Sequence, residues 1–144
     1  MRKMTSKVSE SMVTYQSTDD SNVLTLIATV RNGLDYTFFS DFADVAPFSM
    51  LEWSEFLHLS PRTMQRYKKE QKAFDPIYSE RILEIIMLYK LGVGVFGDED
   101  KFHSWLDSSN IALGGVLPRS LMDNAFGIKM IKDELNRIEH GVLA

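Results

Sequence analysis

Two serine-marked helix starts, Ser49 and Ser60, constrain this chain more than any other feature. Ser49-Met50-Leu51-Glu52 is a capping box: a serine N-cap with a glutamate three residues on. Ser60-Pro61 is a second start, an N-cap followed by proline at the first helical position. The first helix must therefore be short, with Leu51, Phe56 and Leu57 as its buried side and Trp53 nearby. Only about three residues around His58-Leu59 remain to reverse the chain. A short capped helix, a tight turn and a second capped helix form a helix-turn-helix. The turn favours a left-handed residue, ordinarily glycine, and that position falls on His58.

The same logic extends along the chain. Residues 1–21 are rich in Ser and Thr, 8 of 21, and lack helical periodicity, so they read as a flexible tail. Its Arg2, Lys3 and Lys7 are within reach of phosphate, although most such tails stay solvated. Val23, Leu24, Ile27, Val30 and Leu34 mark a helix stopped by Asn32-Gly33. Asp35 caps the next one, with Phe38, Phe39, Phe42 and Val45 inward and Pro47 at its end. After Asp75-Pro76 the chain is apolar on nearly every side through Leu91, as in a central buried helix. Gly92 and Gly94 weaken its end, and Phe96-Gly97 closes it. Asp98 caps a further helix carrying Phe102, Trp105 and Leu106 inward. A loop over Ser108–Gly115 leads to a short turn at Pro118. Ile128, Ile131, Leu135 and Ile138 mark a final amphipathic helix capped by Gly141. No period-2 segment of useful length appears. The fold class is all-α, with seven or eight helices.

Composition enters as a filter on function. Of 144 residues, 44% are hydrophobic and 25% charged, so the chain is globular. There is no cysteine, which excludes disulfide scaffolds, thiolate metal sites and thiol nucleophiles and fits a cytoplasmic protein. The most apolar stretch, Ile82–Phe96, is interrupted by Glu84 and Lys90 and is too short to span a bilayer. His58, His103 and His140 lack metal-ligand spacing, and no nucleophile elbow or phosphate loop is present. Asp98-Glu99-Asp100 is explained by capping and the helix dipole rather than by a metal. No catalytic site, metal or cofactor is expected.

The net charge of −4 is unevenly placed. Residues 1–72 carry 9 basic and 9 acidic groups, net 0, whereas residues 73–144 carry 7 and 11, net −4. Within residues 61–72, Arg62, Arg66, Lys68, Lys69 and Lys72 face only Glu70, net +4. A local basic patch on the second helix of the motif suits a DNA contact, and equally a solvated helix face. With Met64 and Tyr67 inward, Arg62, Thr63, Gln65, Arg66 and Lys69 are the candidate DNA-binding residues, arginine suiting guanine or phosphate and glutamine suiting adenine. The apolar, glycine-bearing loop Asn110–Pro118 reads either as a loop tucked onto the core or as a protein-binding surface.

Several strings together carry a resemblance. They are Val30-Arg31-Asn32-Gly33-Leu34, Ser60-Pro61-Arg62-Thr63-Met64-Gln65-Arg66, Ser79-Glu80-Arg81, Phe96-Gly97-Asp98 and Trp105-Leu106. To these add Asn110-x-Ala112-Leu113-Gly114-Gly115-x-x-Pro118, Gly127 and Arg137-Ile138-Glu139-His140-Gly141-Val142. From about Val30 onward the chain resembles the Xre/MbcA/ParS antitoxins of Xre–RES type II toxin–antitoxin modules. The resemblance implies an Xre-like helix-turn-helix domain at 22–90 and a toxin-binding domain at 91–144. It implies a RES-domain toxin that consumes NAD⁺ as one partner and operator DNA as another, with a homodimer inside a hetero-oligomeric complex. On that reading the toxin contact uses Leu113, Gly114, Gly115, Pro118, Arg137, His140, Val142, Leu143 and Ala144. The other reading is a dimeric helix-turn-helix regulator with no toxin partner.

Overall fold

The structure is a computed structural model, and it describes residues 20–141. Among these, regular structure is helical, with one isolated bridge between Asn110 and Val116. The helices are α1 (Asp20–Asn32), α2 (Tyr36–Val45), α3 (Met50–Leu57), α4 (Pro61–Glu70), α5 (Pro76–Phe96), α6 (Glu99–Leu106) and α7 (Ala125–Glu139). Two 3₁₀ turns, Ile111–Leu113 and Pro118–Leu121, lie between α6 and α7. The chain divides into two compact units between Leu83 and Glu84, and the continuous helix α5 belongs to both. No described residue from Arg81 to Val93 is exposed, which is why that helix is apolar on every side.

The first unit is organised around aromatic rings. Trp53 is 0% exposed and meets Phe39, Phe42, Phe48 and Phe56 edge-on, with centroids 4.9–6.0 Å apart. Tyr36 and Tyr67 both stack on Phe74, with centroids at 5.8 and 4.6 Å. Such geometries add about 0.5–1.5 kcal/mol per pair beyond area burial. The expected inward face of α3 changes accordingly. Leu51 is exposed and Trp53 is the centre of the core, because residues 53, 56 and 57 share a helical face and residue 51 lies nearly opposite. On α1 the half-buried apolar residues are Val23, Leu26 and Val30, whereas Leu24 and Ile27 are exposed. The i, i+3, i+7 spacing of the first three defines the face.

Ser79 ties this unit together where side chains other than aromatics are needed. Fully buried, its Oγ accepts from the Leu34 N–H at 2.8 Å and donates to the Phe74 carbonyl at 3.1 Å. Phe74 N–H in turn donates to the Leu34 carbonyl at 2.9 Å. Two segments remote in sequence, around Leu34 and over Phe74–Ser79, thus satisfy one another's backbone.

In the second unit Phe102 packs among Tyr89, Phe96 and Trp105. Gly92 permits this: a Cβ there would overlap the Phe102 ring. Gly127 plays the same part at the start of α7, where a Cβ would overlap the Leu121 carbonyl. Asp98 caps α6 by accepting from the Lys101 N–H at 2.7 Å, as its position predicts. Asp35, at the corresponding position before α2, makes no side-chain cap bond. Gly141 follows α7 with φ +66°, the left-handed conformation that favours glycine.

Candidate DNA and protein interfaces

The capping box at Ser49 is complete. Ser49 Oγ accepts from the Glu52 N–H at 3.1 Å, and Glu52 Oε1 accepts from the Ser49 N–H at 3.0 Å. At the far end of α3, His58 is left-handed with φ 57° and ψ 39°. Leu59 N–H donates to the Ser54 carbonyl at 3.0 Å and His58 N–H to the Glu55 carbonyl at 3.2 Å, a Schellman closure. One more end carbonyl, that of Phe56, accepts from Arg81 Nη1 at 3.1 Å. The turn therefore closes without glycine because several hydrogen bonds fix its backbone.

Helix α4 begins two residues later under Ser60, whose Oγ accepts from the Thr63 N–H at 3.1 Å. It ends on a second Schellman closure at Gln71, again left-handed, with Lys72 N–H donating to the Tyr67 carbonyl. His58 and Gln71 are the non-glycine residues with positive φ among those described, and each terminates one helix of the motif. Gln71 carries no residue-type signal for that conformation, so the sequence alone could not single it out.

Met64 and Tyr67 are buried, as their spacing predicts. Arg62, Gln65, Arg66 and Lys69 are exposed. Their offsets of three, four and seven residues place all four along one stripe opposite Met64 and Tyr67. None of the four forms an ion pair among the described residues. Thr63 sits at the flank, half-buried, and its hydroxyl accepts from Ser60 Oγ at 3.0 Å. Thr63 is thus tied to the cap. The stripe carries three cations and one amide, the chemistry that phosphates and the major-groove edges of purines accept.

In the second unit, the Asn110–Val116 bridge pinches the loop shut. Asn110 N–H donates to the Val116 carbonyl at 3.1 Å, and Gly115 N–H to the Asn110 carbonyl at 2.8 Å. Gly114 and Gly115 both have positive φ, so two successive left-handed residues turn the chain back. Leu113, at 4% exposure, and Pro118 are buried, whereas Gly114 and Gly115 are exposed. The apolar groups the loop presents outward are Ile111, Val116 and Leu117. Arg119, next to the buried Pro118, pairs with Asp107 at 2.6 Å and links the second 3₁₀ turn to the end of α6. Arg137 and His140 are exposed at the end of α7, with Arg137 paired to Glu134 at 2.9 Å. Val142, Leu143 and Ala144 lie outside the described residues, as do Arg2, Lys3 and Lys7.

His103 is half-buried and within 2.8 Å of the Tyr89 hydroxyl. Burial, with the carboxylates of Glu99 and Asp100 adding to it, pushes the Tyr89 phenol up to about 12. Burial alone holds the Lys90 ammonium below its ordinary value. Neither group borders a cluster with a chemical task. No three His, Asp or Glu side chains among the described residues are placed to hold a metal ion. No described helix is long and apolar enough to cross a membrane.

Comparison with known proteins matches the two parts separately. Residues 25–87 match the antitoxin Xre-like helix-turn-helix domain, and residues 92–141 match the antitoxin Xre/MbcA/ParS C-terminal toxin-binding domain. The chain is 31% identical over 84 residues to an antitoxin Xre of Yersinia enterocolitica serotype O:8 / biotype 1B, covering 58% of this chain and 57% of that protein. It is 26% identical over 120 residues to an antitoxin Xre of Photorhabdus laumondii subsp. laumondii, covering 83% of this chain and 81% of the relative. A helix-turn-helix whose exposed stripe is basic, followed by a toxin-binding domain, makes this chain a member of the Xre/MbcA/ParS antitoxin family.

Proposed function

We propose that this antitoxin neutralises a RES-domain toxin that consumes NAD⁺ by binding it directly, and that it represses its own operon. The observation that carries the reading is the pairing of two modules in one chain: a basic stripe on α4 and a toxin-binding match over 92–141. The operator contact uses Arg62, Gln65, Arg66 and Lys69 from the stripe, with Thr63 at its edge. One such helix covers few base pairs, so specificity comes from a homodimer reading paired half-sites.

The toxin contact uses the exposed Gly114 and Gly115, which the buried Leu113 and Pro118 anchor, together with Arg137 and His140. Val142, Leu143 and Ala144 take part in the same contact, at the toxin's NAD⁺ pocket. Such pockets are concave, partly apolar and receive an anionic ligand. The apolar side chains of Val142 and Leu143 suit that chemistry. Co-purification of the full chain with the RES-domain toxin of the neighbouring gene tests the reading. A stable complex supports it. Two proteins that elute separately at micromolar concentration refute it.

A further inference from the structure

The outer face of α7 holds an apolar group that the fold does not use. Phe126 is 84% exposed and Met130, one turn on, is 44% exposed. Gly127, Ile128, Ile131 and Leu135 occupy the opposite, buried face. A phenylalanine at the surface in the first turn contributes nothing to capping, and an isolated exposed side chain of this size is unfavourable to keep in water. The same stripe, followed at offsets of three and four, passes Asp133 and reaches Arg137. The charged groups around it are already matched: Lys129 with Asp133 at 3.0 Å, and Arg137 with Glu134 at 2.9 Å. An apolar centre flanked by internally neutralised polar groups is the anatomy of a protein-binding surface, in which a few aromatic or Met anchors dominate.

We infer that Phe126 and Met130 are the anchors through which the toxin is held on this domain, seated in an apolar depression of the toxin's surface. The inference rests on the proposed toxin reading and deepens it. Two observations commit it to the toxin. The stripe lies within residues 92–141, the part matched as toxin-binding, and it continues along α7 to Arg137, a residue of the proposed contact. Affinity and inhibition are then separable: the stripe holds the partner, and Val142, Leu143 and Ala144 act at its pocket.

The test compares full-length native protein with Phe126→Ser, Met130→Ser and the double variant, titrated against the purified RES toxin. Ile77→Ser serves as a control, because Ile77 is 73% exposed and lies outside the matched toxin-binding part. All variants change exposed side chains, so circular dichroism and melting temperature should stay at native values. Each single variant should weaken toxin binding at least tenfold, the double variant more, and Ile77→Ser less than twofold. Double-variant binding within twofold of native overturns the inference while the toxin reading stands. Loss of self-association by sedimentation, with toxin affinity intact, also overturns it and makes the stripe a dimer contact. No binding by the native chain removes the toxin reading and the inference with it.

Discussion

His58 sits in a conformation that costs a non-glycine residue about 1–2 kcal/mol. The Schellman closure and the Arg81 bond to Phe56 hold it there. His58→Gly should therefore stabilise the fold by up to about 1 kcal/mol, seen as a higher urea midpoint at unchanged slope. A lower midpoint would mean the imidazole contributes more than the backbone strain. Gly127→Ala should act in the opposite direction, because the new methyl meets the Leu121 carbonyl, and a loss of about 1–3 kcal/mol is expected. Tyr89 makes a prediction in pH. The unfolded phenol ionises near 10, and the folded one is pushed up to about 12. With the folded value above the unfolded one, the contribution is intact below pH 10 and is lost as pH rises from about 10 to about 12, by roughly 3 kcal/mol at most. Tyr89→Phe should lose about 1 kcal/mol at pH 7 with the His103 bond, and should flatten the alkaline loss. Equal alkaline slopes for the two proteins would contradict this assignment.

At the scale of elements, α4 presents the basic stripe, and its side chains should separate by role. Arg62→Ala or Arg66→Ala should weaken operator binding by about 1–3 kcal/mol and relax sequence preference where the contact is to a base. Lys69→Ala should weaken binding evenly across sequences and reduce the salt slope. Fluorescence anisotropy at fixed salt distinguishes these outcomes, and unchanged binding in both arginine variants would remove α4 from the DNA contact. The helix starts at Ser49, Ser60 and Asp98 were legible in the sequence because a cap is a bond between near neighbours. The left-handed turn at His58 was legible from the spacing of two such caps. The inward faces were less so. Leu51 and Trp53 are both large and apolar, and only the arrival of Phe39, Phe42 and Phe48 decides which is buried. The loop Asn110–Pro118 read either as tucked onto the core or as a presented surface, and the structure divides it: Leu113 and Pro118 are buried, whereas Ile111, Val116 and Leu117 are outside. Asn124 caps α7 by accepting from the Gly127 N–H at 2.8 Å, four residues ahead of the periodic run that begins at Ile128.

For the whole molecule, charge is divided unevenly between the two halves of the chain. The first 72 residues are electrically neutral and concentrate their cations on α4, while the last 72 carry the net −4. Helix α5 runs across the boundary of the two units, and none of its residues from Arg81 to Val93 is exposed. Deleting residues 141–144 should leave folding intact, since Gly141 alone closes α7, and should weaken protection while complex formation persists. The most direct test of the account is the cellular NAD⁺ level when the RES toxin is expressed alone, with the full chain, or with that truncated chain. Full protein should keep NAD⁺ at the level of toxin-free cells, and the truncated chain should let it fall. NAD⁺ depletion as deep with the full chain as with toxin alone would contradict the antitoxin's proposed target.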